Sequence, residues 1–217
     1  DKIQVLLHAI PIPKVKQKTF WLHKYLNIPK DYSLIGHTGL LEERKRQEDF
    51  IRAAALVLQK NKKVCFLIIG NAQFNSRRYE ESLHELVRIL HLENYIFFLG
   101  FREDITAILQ ELDIMALPSL HEPFSIAMLE AMVLEKPFIG AESGGTPELI
   151  QHMNNGILIP PIDPHALAQA ILFLLKNKKV AQKIGKNGRI SVQEKCNIQH
   201  YTQRLTEIYT YLDKSSK

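Results

Sequence analysis

Apolar residues occur along this chain in short unbroken runs, separated by stretches in which they recur every third or fourth position. The unbroken runs predict strands at Ser33 to Gly39, Val64 to Gly70, Tyr95 to Gly100, Asp113 to Leu117, Pro137 to Gly140 and Ile157 to Ile159. The periodic stretches predict helices. One runs from Gln47 to Lys60 with Phe50, Ala54, Val57 and Leu58 on one face, and another from Tyr79 to His91 striped by Leu83, Leu86, Val87 and Leu90. Others are expected over Glu103 to Glu111, Phe124 to Leu134, Pro164 to Asn177, Val180 to Lys195 and Ile198 to Leu212. Short continuous strands alternating with helices form an α/β parallel sheet with helices on both faces. Such a sheet takes its ligand beyond the carboxyl ends of the strands, near the point where strand order reverses. The strand ends at Gly39, Gly70, Gly100 and Ser119 to Glu122 are therefore where chemistry is sought.

The two ends of the chain are less regular. Residues 1–32 begin with a strand-like run, Ile3 to Leu7, continue through the Pro- and Lys-rich connector Ile10 to Lys14, and read as a lead-in or interdomain linker. Residues 33–197 form the ligand-binding domain. Residues 198–217 form a terminal helix whose Tyr201, Leu205, Ile208, Tyr209 and Leu212 fall on one stripe. A stripe this apolar must be covered by something or stay exposed. With no methionine ahead of Asp1, the chain is expected to be part of a longer protein.

Composition narrows the classes. Hydrophobic residues at 46% and charged residues at 24% indicate a globular domain with a sizeable core. The two cysteines, Cys65 and Cys196, are far apart, and Cys65 lies inside an apolar run, so a reduced cytoplasmic setting is expected in place of a disulfide framework. No apolar stretch is long enough to span a bilayer. A formal charge of +5 favours anionic partners. The basic segment Lys176 to Lys179, with Lys183, Lys186 and Arg189, is a solvated helical surface or a peripheral contact with anionic lipid at the inner face of a membrane. The chain carries no nucleic-acid recognition motif.

The richest stretch runs from Pro118 to Met132. Pro123 suits the first turn of a helix, which leaves the amides of Phe124, Ser125 and Ile126 free to meet a phosphate or another electron-rich group. Glu122 and Glu130 frame this turn, with Cα atoms of order 12 Å apart along a helix. That exceeds the roughly 5 to 10 Å between the carboxyl groups of a glycosidase pair, and fits two hydroxyl-rich ends of one extended ligand. The plainer alternative is a capping Glu122 and a solvated Glu130. The apolar neighbours Met128, Leu129, Ala131 and Met132 weigh against the second half of that alternative.

Glu122 to Glu130 resembles the E-x7-E signature of the retaining glycosyltransferases of GT-B architecture, family 4, also called group 1. Three further segments match in order: the Gly39 turn with Lys45, the strand Cys65 to Gly70, and Gly144 to Glu148 followed by Asn155 to Leu158. The resemblance runs from about Ser33 to Tyr211. It implies a Rossmann-like fold and the C-terminal, donor-binding half of an enzyme that transfers a sugar, of the hexosyl type, from a UDP- or GDP-sugar. The acceptor would be a glycan, lipid or small molecule, held by an N-terminal domain outside this chain, and the work would be of the cell-envelope polysaccharide kind. No metal or other cofactor is implied. By the same resemblance Glu130 would hold the ribose hydroxyls, Glu122 the transferred sugar and Lys45 the diphosphate. Backbone at Phe124, Ser125 and Ile126 would meet sugar and phosphate, and Phe101 and Arg102 would line the nucleobase. Gly39, Leu40, Gly70, Leu129 and His121 complete the implied donor site.

Leu40 departs from the family, which has arginine after the strand-ending glycine, and Arg46 stands where glycine usually follows the lysine. The run Arg44-Lys45-Arg46 is expected to restore the missing charge. His37 and His121 are candidates to line the site, and Gly144-Gly145-Thr146 leads into a short helix aimed at it. Two alternatives remain. A nucleotide-sugar epimerase of the same architecture would need a different set of carboxylates and histidines, and Leu40 would suit a degenerate nucleotide-sugar-binding module.

Overall fold

A computed structural model describes residues 6–73 and 76–215. The strands are β1 (Ser33–Thr38), β2 (Val64–Ile69), β3 (Ile96–Gly100), β4 (Ile114–Leu117), β5 (Phe138–Ala141) and β6 (Ile157–Ile159). They form one all-parallel sheet in the order β3-β2-β1-β4-β5-β6. The helices are α1 (Trp21–Tyr25), α2 (Gln47–Leu58), α3 (Arg77–Ile89), α4 (Ile105–Glu111) and α5 (Ile126–Val133). They continue with α6 (Thr146–Leu149), α7 (Pro164–Lys176), α8 (Lys178–Lys195) and α9 (Ile198–Ser215). Each strand and helix expected between Ser33 and Leu212 is present, with ends shifted by a few residues.

The strands are apolar on both sides because both sides are covered. Ile35, Phe66, Ile68, Ala116, Ile139 and Ile159 face one core layer, shared with α2, α3 and α7. Leu34, Leu67, Ile69, Met115, Leu117 and Phe138 face the other, shared with α4, α5 and α8. Local chemistry sets where helices start. Asp163 accepts from the Ala166 amide at 2.9 Å ahead of Pro164, the first residue of α7.

The lead-in packs on the domain and does not stand off it. Ile10, Leu22 and Ile28 join the second core layer. The Thr19 N–H and hydroxyl both donate to Glu111 Oε1, at 2.8 and 2.9 Å, and Lys18 pairs with Asp113 at 2.6 Å. These contacts bridge more than 90 positions, a range that periodicity does not reach. Residues 3–5 of the expected first strand lie outside the described residues, and Leu6 to Ala9 are not strand. Ile10 forms a parallel bridge to Asn197, its N–H donating to the Cys196 carbonyl at 3.1 Å. At the other end, none of the five stripe residues of α9 is fully buried, and Tyr209 is 64% exposed. Both cysteines are buried and free. No helix among the described residues is long and apolar enough to cross a membrane.

Order reverses between β1 and β4, and a crevice opens there at the carboxyl edge. Its floor depends on two glycines at adjacent strand ends. Gly39 and Gly70 have φ of 140° and 135°, and a Cβ on Gly70 would sit 2.0 Å from the Gly39 carbonyl oxygen. Backbone cannot yield as a side chain would. Gly70→Ala is expected to cost about 2–4 kcal/mol. Gly100→Ala, at φ 65° with nothing within 4 Å of the added carbon, should cost only about 1 kcal/mol. Equal urea midpoints for the two variants would refute this account of the crevice floor.

Candidate functional site

The crevice is built from two loops and one helix. After β1 the chain passes Gly39 and Leu40 into a 3₁₀ turn, Glu43–Lys45, and ends it with Arg46 at φ 56°. After β4 it passes Ser119 to Glu122 and enters α5. The Leu120 N–H donates to the Arg44 carbonyl at 2.7 Å, so the two loops are joined by backbone. Side chains join them again. Lys45 Nζ donates to Glu122 Oε2 at 2.5 Å and Arg44 donates to the same oxygen at 3.1 Å. Arg44 also holds Glu42, at 2.7 Å.

His37 supports this arrangement from below and does not line it. It is fully buried, stacks edge-on against Phe50, and its Nε2–H donates to the Lys45 carbonyl at 3.0 Å. Burial pushes its pKa down to about 4, so the ring is neutral at pH 7. Gly144 and Gly145 support the other loop. A Cβ on Gly145 would lie 1.8 Å from the Pro123 carbonyl oxygen, and the Gly145 N–H donates to the Glu122 carbonyl at 2.7 Å. His121 is exposed at φ 48°, its N–H donating to Ser143 Oγ at 3.0 Å.

Beside the cation pair lies a cavity of about 270 Å³ lined by Thr38, Gly39, Leu40, Gly70, Asn71, Phe101, Arg102, Ala127 and Glu130, among others. Six residues proposed from sequence thus meet in one hollow. Gly39 connects the hollow to the cations, since a Cβ there would lie 3.8 Å from Lys45 Nζ. Phe101, 70% exposed, and Leu40 form an apolar rim. Arg102 is held bidentate by Asp104 at 2.8 and 2.7 Å and lies 5.8 Å from the Tyr25 ring centre.

Glu130 projects from α5 into this hollow, half-buried, and no described group hydrogen-bonds to it. A second hollow, with Ile10, Pro11 and Thr106, lies on its other side. Thr38 Oγ1 is buried in the cavity wall and is also unpartnered among the described residues. A carboxylate and a hydroxyl left open in a crevice, next to two cations, suit a ligand with hydroxyls at one end and negative charge at the other.

Beyond His37, four expectations need correction. Pro123 is not in the first turn: α5 begins at Ile126 with Ser125 as its N-cap, the Ser125 hydroxyl accepting from the Met128 amide at 3.3 Å. Phe124 therefore precedes the cap, and the helix amides left without an intrahelical acceptor or a cap are those of Ile126 and Ala127. Leu129 is fully buried in the core and its N–H serves Ser125, so it lies behind the site. Arg46 turns to Asp49, at 2.8 and 2.9 Å, which leaves Arg44 as the guanidinium on Glu122. Thr38 and Ala127 were not signalled as site residues. Ala127 was legible, because it sits three positions before Glu130 on one helix face.

Desolvation raises the Glu130 pKa above its ordinary value. The folded state then holds that proton more tightly than the unfolded chain, so stability from this group is complete at low pH and is lost as pH rises through the folded value. Glu130→Gln should therefore be more stable than the parent at pH 7, by a few tenths to about 1 kcal/mol. The difference should vanish below about pH 4. Urea unfolding at the two pH values measures it, and a variant less stable at pH 7 would contradict the strained carboxylate.

The profile of the family described as glycosyl transferases group 1 matches residues 21–191, most of the chain. N-acetyl-alpha-D-glucosaminyl L-malate synthase of Bacillus anthracis is 29% identical over 188 residues, covering 87% of this chain and 48% of that protein. The chain spans about half the length of the curated relatives it matches. Among solved structures, Anabaena HepE in complex with UDP-glucose superposes with a TM-score of 0.89 at 28% identity, over 96% of this chain and 57% of that one. The C-terminal domain of the group 1 protein LpcC from Francisella tularensis gives 0.77 at 30% identity, over 86% and 95%. With its sheet order, its crevice and these likenesses together, the chain belongs to the glycosyl transferases group 1 family, as a domain of GT-B type.

Proposed function

We propose that this chain is the donor-binding half of a retaining glycosyltransferase that takes its sugar from a nucleoside diphosphate, UDP in the first instance. The observation that carries the reading is the open Glu130 carboxylate in a crevice whose next residues are Lys45 and Arg44. Glu130 accepts from the ribose hydroxyls, and Phe101 and Arg102 border the base. Lys45 and Arg44 face the diphosphate, Glu122 faces the sugar, and the amides of Ile126 and Ala127 point toward the phosphate end. The occurrence of UDP-glucose in HepE supports the choice of base. In the reaction the bond from the anomeric carbon to the diphosphate breaks, with its electron pair on the leaving oxygen. The acceptor hydroxyl forms the new bond, and its proton passes to the leaving diphosphate oxygen and from there to solvent. Fixed cations and helix amides beside the leaving group stabilise the charge that develops there.

Arg44 takes the place of the charge that Leu40 lacks. The acceptor is held by the other half of the protein, which covers the apolar stripe that α9 leaves partly exposed. A peripheral contact with anionic lipid at the cytoplasmic face rests on the stretch from Pro164 to Gln193. It carries Lys176, Lys178, Lys179, Lys183 and Lys186 without one acidic residue, whereas Arg189, also expected there, turns inward to the Val133 and Pro13 carbonyls and takes no part.

Two measurements test the reading. Glu130→Ala and Lys45→Ala should each weaken UDP binding by about 1–3 kcal/mol in calorimetry. Parent-like affinity in both variants means that the site is elsewhere. The purified 217-residue chain should not transfer glucose from UDP-glucose at a useful rate, because one half of a cleft neither positions an acceptor nor excludes water. Efficient turnover by the chain alone would remove the two-half reading.

A further inference from the structure

We propose that in the empty site Glu122 stands in for the donor's diphosphate on Lys45 and Arg44, and so discriminates against a bare nucleoside diphosphate in favour of one carrying a sugar. The inference rests on the reading of the crevice as a nucleotide-sugar site.

Both cations converge on one carboxylate oxygen, Oε2, at 2.5 and 3.1 Å. The other oxygen, Oε1, has no partner among the described residues. The Lys45 and Glu122 side chains are 12% and 11% exposed, so little water screens the pair. Arg44 and Lys45 bring two positive charges, and Glu122 together with Glu42, which Arg44 holds at 2.7 Å, balances both before any ligand arrives. A diphosphate entering beside Lys45 must either share these donors with Glu122 or displace it, and it meets the carboxylate's negative charge in both cases.

Ligand chemistry makes this penalty unequal. In a free nucleoside diphosphate the terminal phosphate has a second ionisation near pH 6, by analogy with a phosphomonoester, and near neutrality carries most of a second charge. In a nucleotide-sugar that oxygen is esterified and the second charge is absent. The sugar also brings hydroxyls, which donate to Oε1 and give Glu122 new partners. Glu122 thus opposes the product more than the donor. After transfer, with the sugar gone and one more negative charge on the leaving diphosphate, the carboxylate recaptures both cations and favours release. A ligand shifts such an equilibrium only through its different interaction with the two arrangements, and the charge and hydroxyl differences supply that.

The test is calorimetry with UDP, UDP-glucose and inorganic pyrophosphate on the parent chain and Glu122→Gln, with thermal unfolding as the check that the variant is folded. Glu122→Gln should bind UDP about three- to tenfold more tightly than the parent, and its preference for UDP-glucose over UDP should fall by a similar factor. A variant that binds UDP equally or more weakly overturns the proposal. Should the variant not fold, the parent alone decides. Between about pH 5.5 and 7.5, across the second ionisation of UDP, its affinity should fall at least about threefold relative to that of UDP-glucose. The ratio largely cancels titrations common to both complexes, and His37 at about 4 lies below the window. A rise in relative UDP affinity with pH overturns it. If the parent binds neither UDP nor UDP-glucose, the site reading itself fails. Pyrophosphate, which needs only the cations, then still separates the two claims: unchanged pyrophosphate binding in Glu122→Gln overturns the role of Glu122.

Discussion

The carboxylate of Glu122 joins the two loops that flank the reversal of strand order. β1 leads to the turn bearing Arg44 and Lys45, and β4 leads to the loop bearing Glu122. A parallel sheet leaves such loops splayed, since the helices that follow them lie on opposite faces. Here a bridge of 2.5 Å and a backbone bond from Leu120 to Arg44 close the gap from both sides. The supports beneath are specific to that closure. His37 carries the Lys45 carbonyl, and Gly145, where a side chain would strike Pro123, carries the Glu122 carbonyl. Each support is a buried polar contact or a backbone approach that only glycine allows, so a change in either moves the charged trio as a unit.

Stability and function pull apart at the next residue of the crevice. Glu130 is half-buried and Thr38 nearby holds a buried hydroxyl, neither with a partner among the described residues. An unpaired polar group away from water costs free energy, and a core selected for stability alone would pair or remove both. α5 tolerates the carboxylate because its other positions are apolar: Met128, Leu129, Ala131 and Met132 are fully buried around it. The helix is anchored by its core face and spends its open face on the crevice.

How much of this was legible in sequence depends on the range of the interaction. β2, Val64 to Ile69, was plain because six consecutive buried positions leave no polar residue to interrupt the run. Glu122 and Glu130 were legible as exceptions, charges set in apolar surroundings beside a strand end. Leu129 was misplaced because adjacency to Glu130 in sequence puts it about 100° away around a helix, on the core side. The start of α5 was misread because proline at the first turn and serine at the cap compete as signals, and the serine hydroxyl wins by bonding Met128. Nothing local announces that Thr19 will donate to Glu111, or that Arg46 will turn from Glu122 to Asp49. Those choices are made between partners that only the folded chain brings together.

The lead-in and the terminal helix are two ends of one mechanical problem. Ile10 pairs with Asn197, so the segments entering and leaving the domain are tied side by side at a single bridge. On the domain side of the bridge, Lys18 and Thr19 are fastened by Asp113 and Glu111, and Cys196 is buried. Beyond it, α9 has few contacts with the rest of the domain and keeps Tyr209 largely exposed. A boundary of this kind, firm on one side and sparsely packed on the other, is where low-stability motion concentrates. The crevice therefore rests on the firm side, with its Glu122, Lys45 and Glu130 held by the sheet. Arg189 of α8, donating to the Pro13 carbonyl at 3.0 Å, holds the lead-in on that same side.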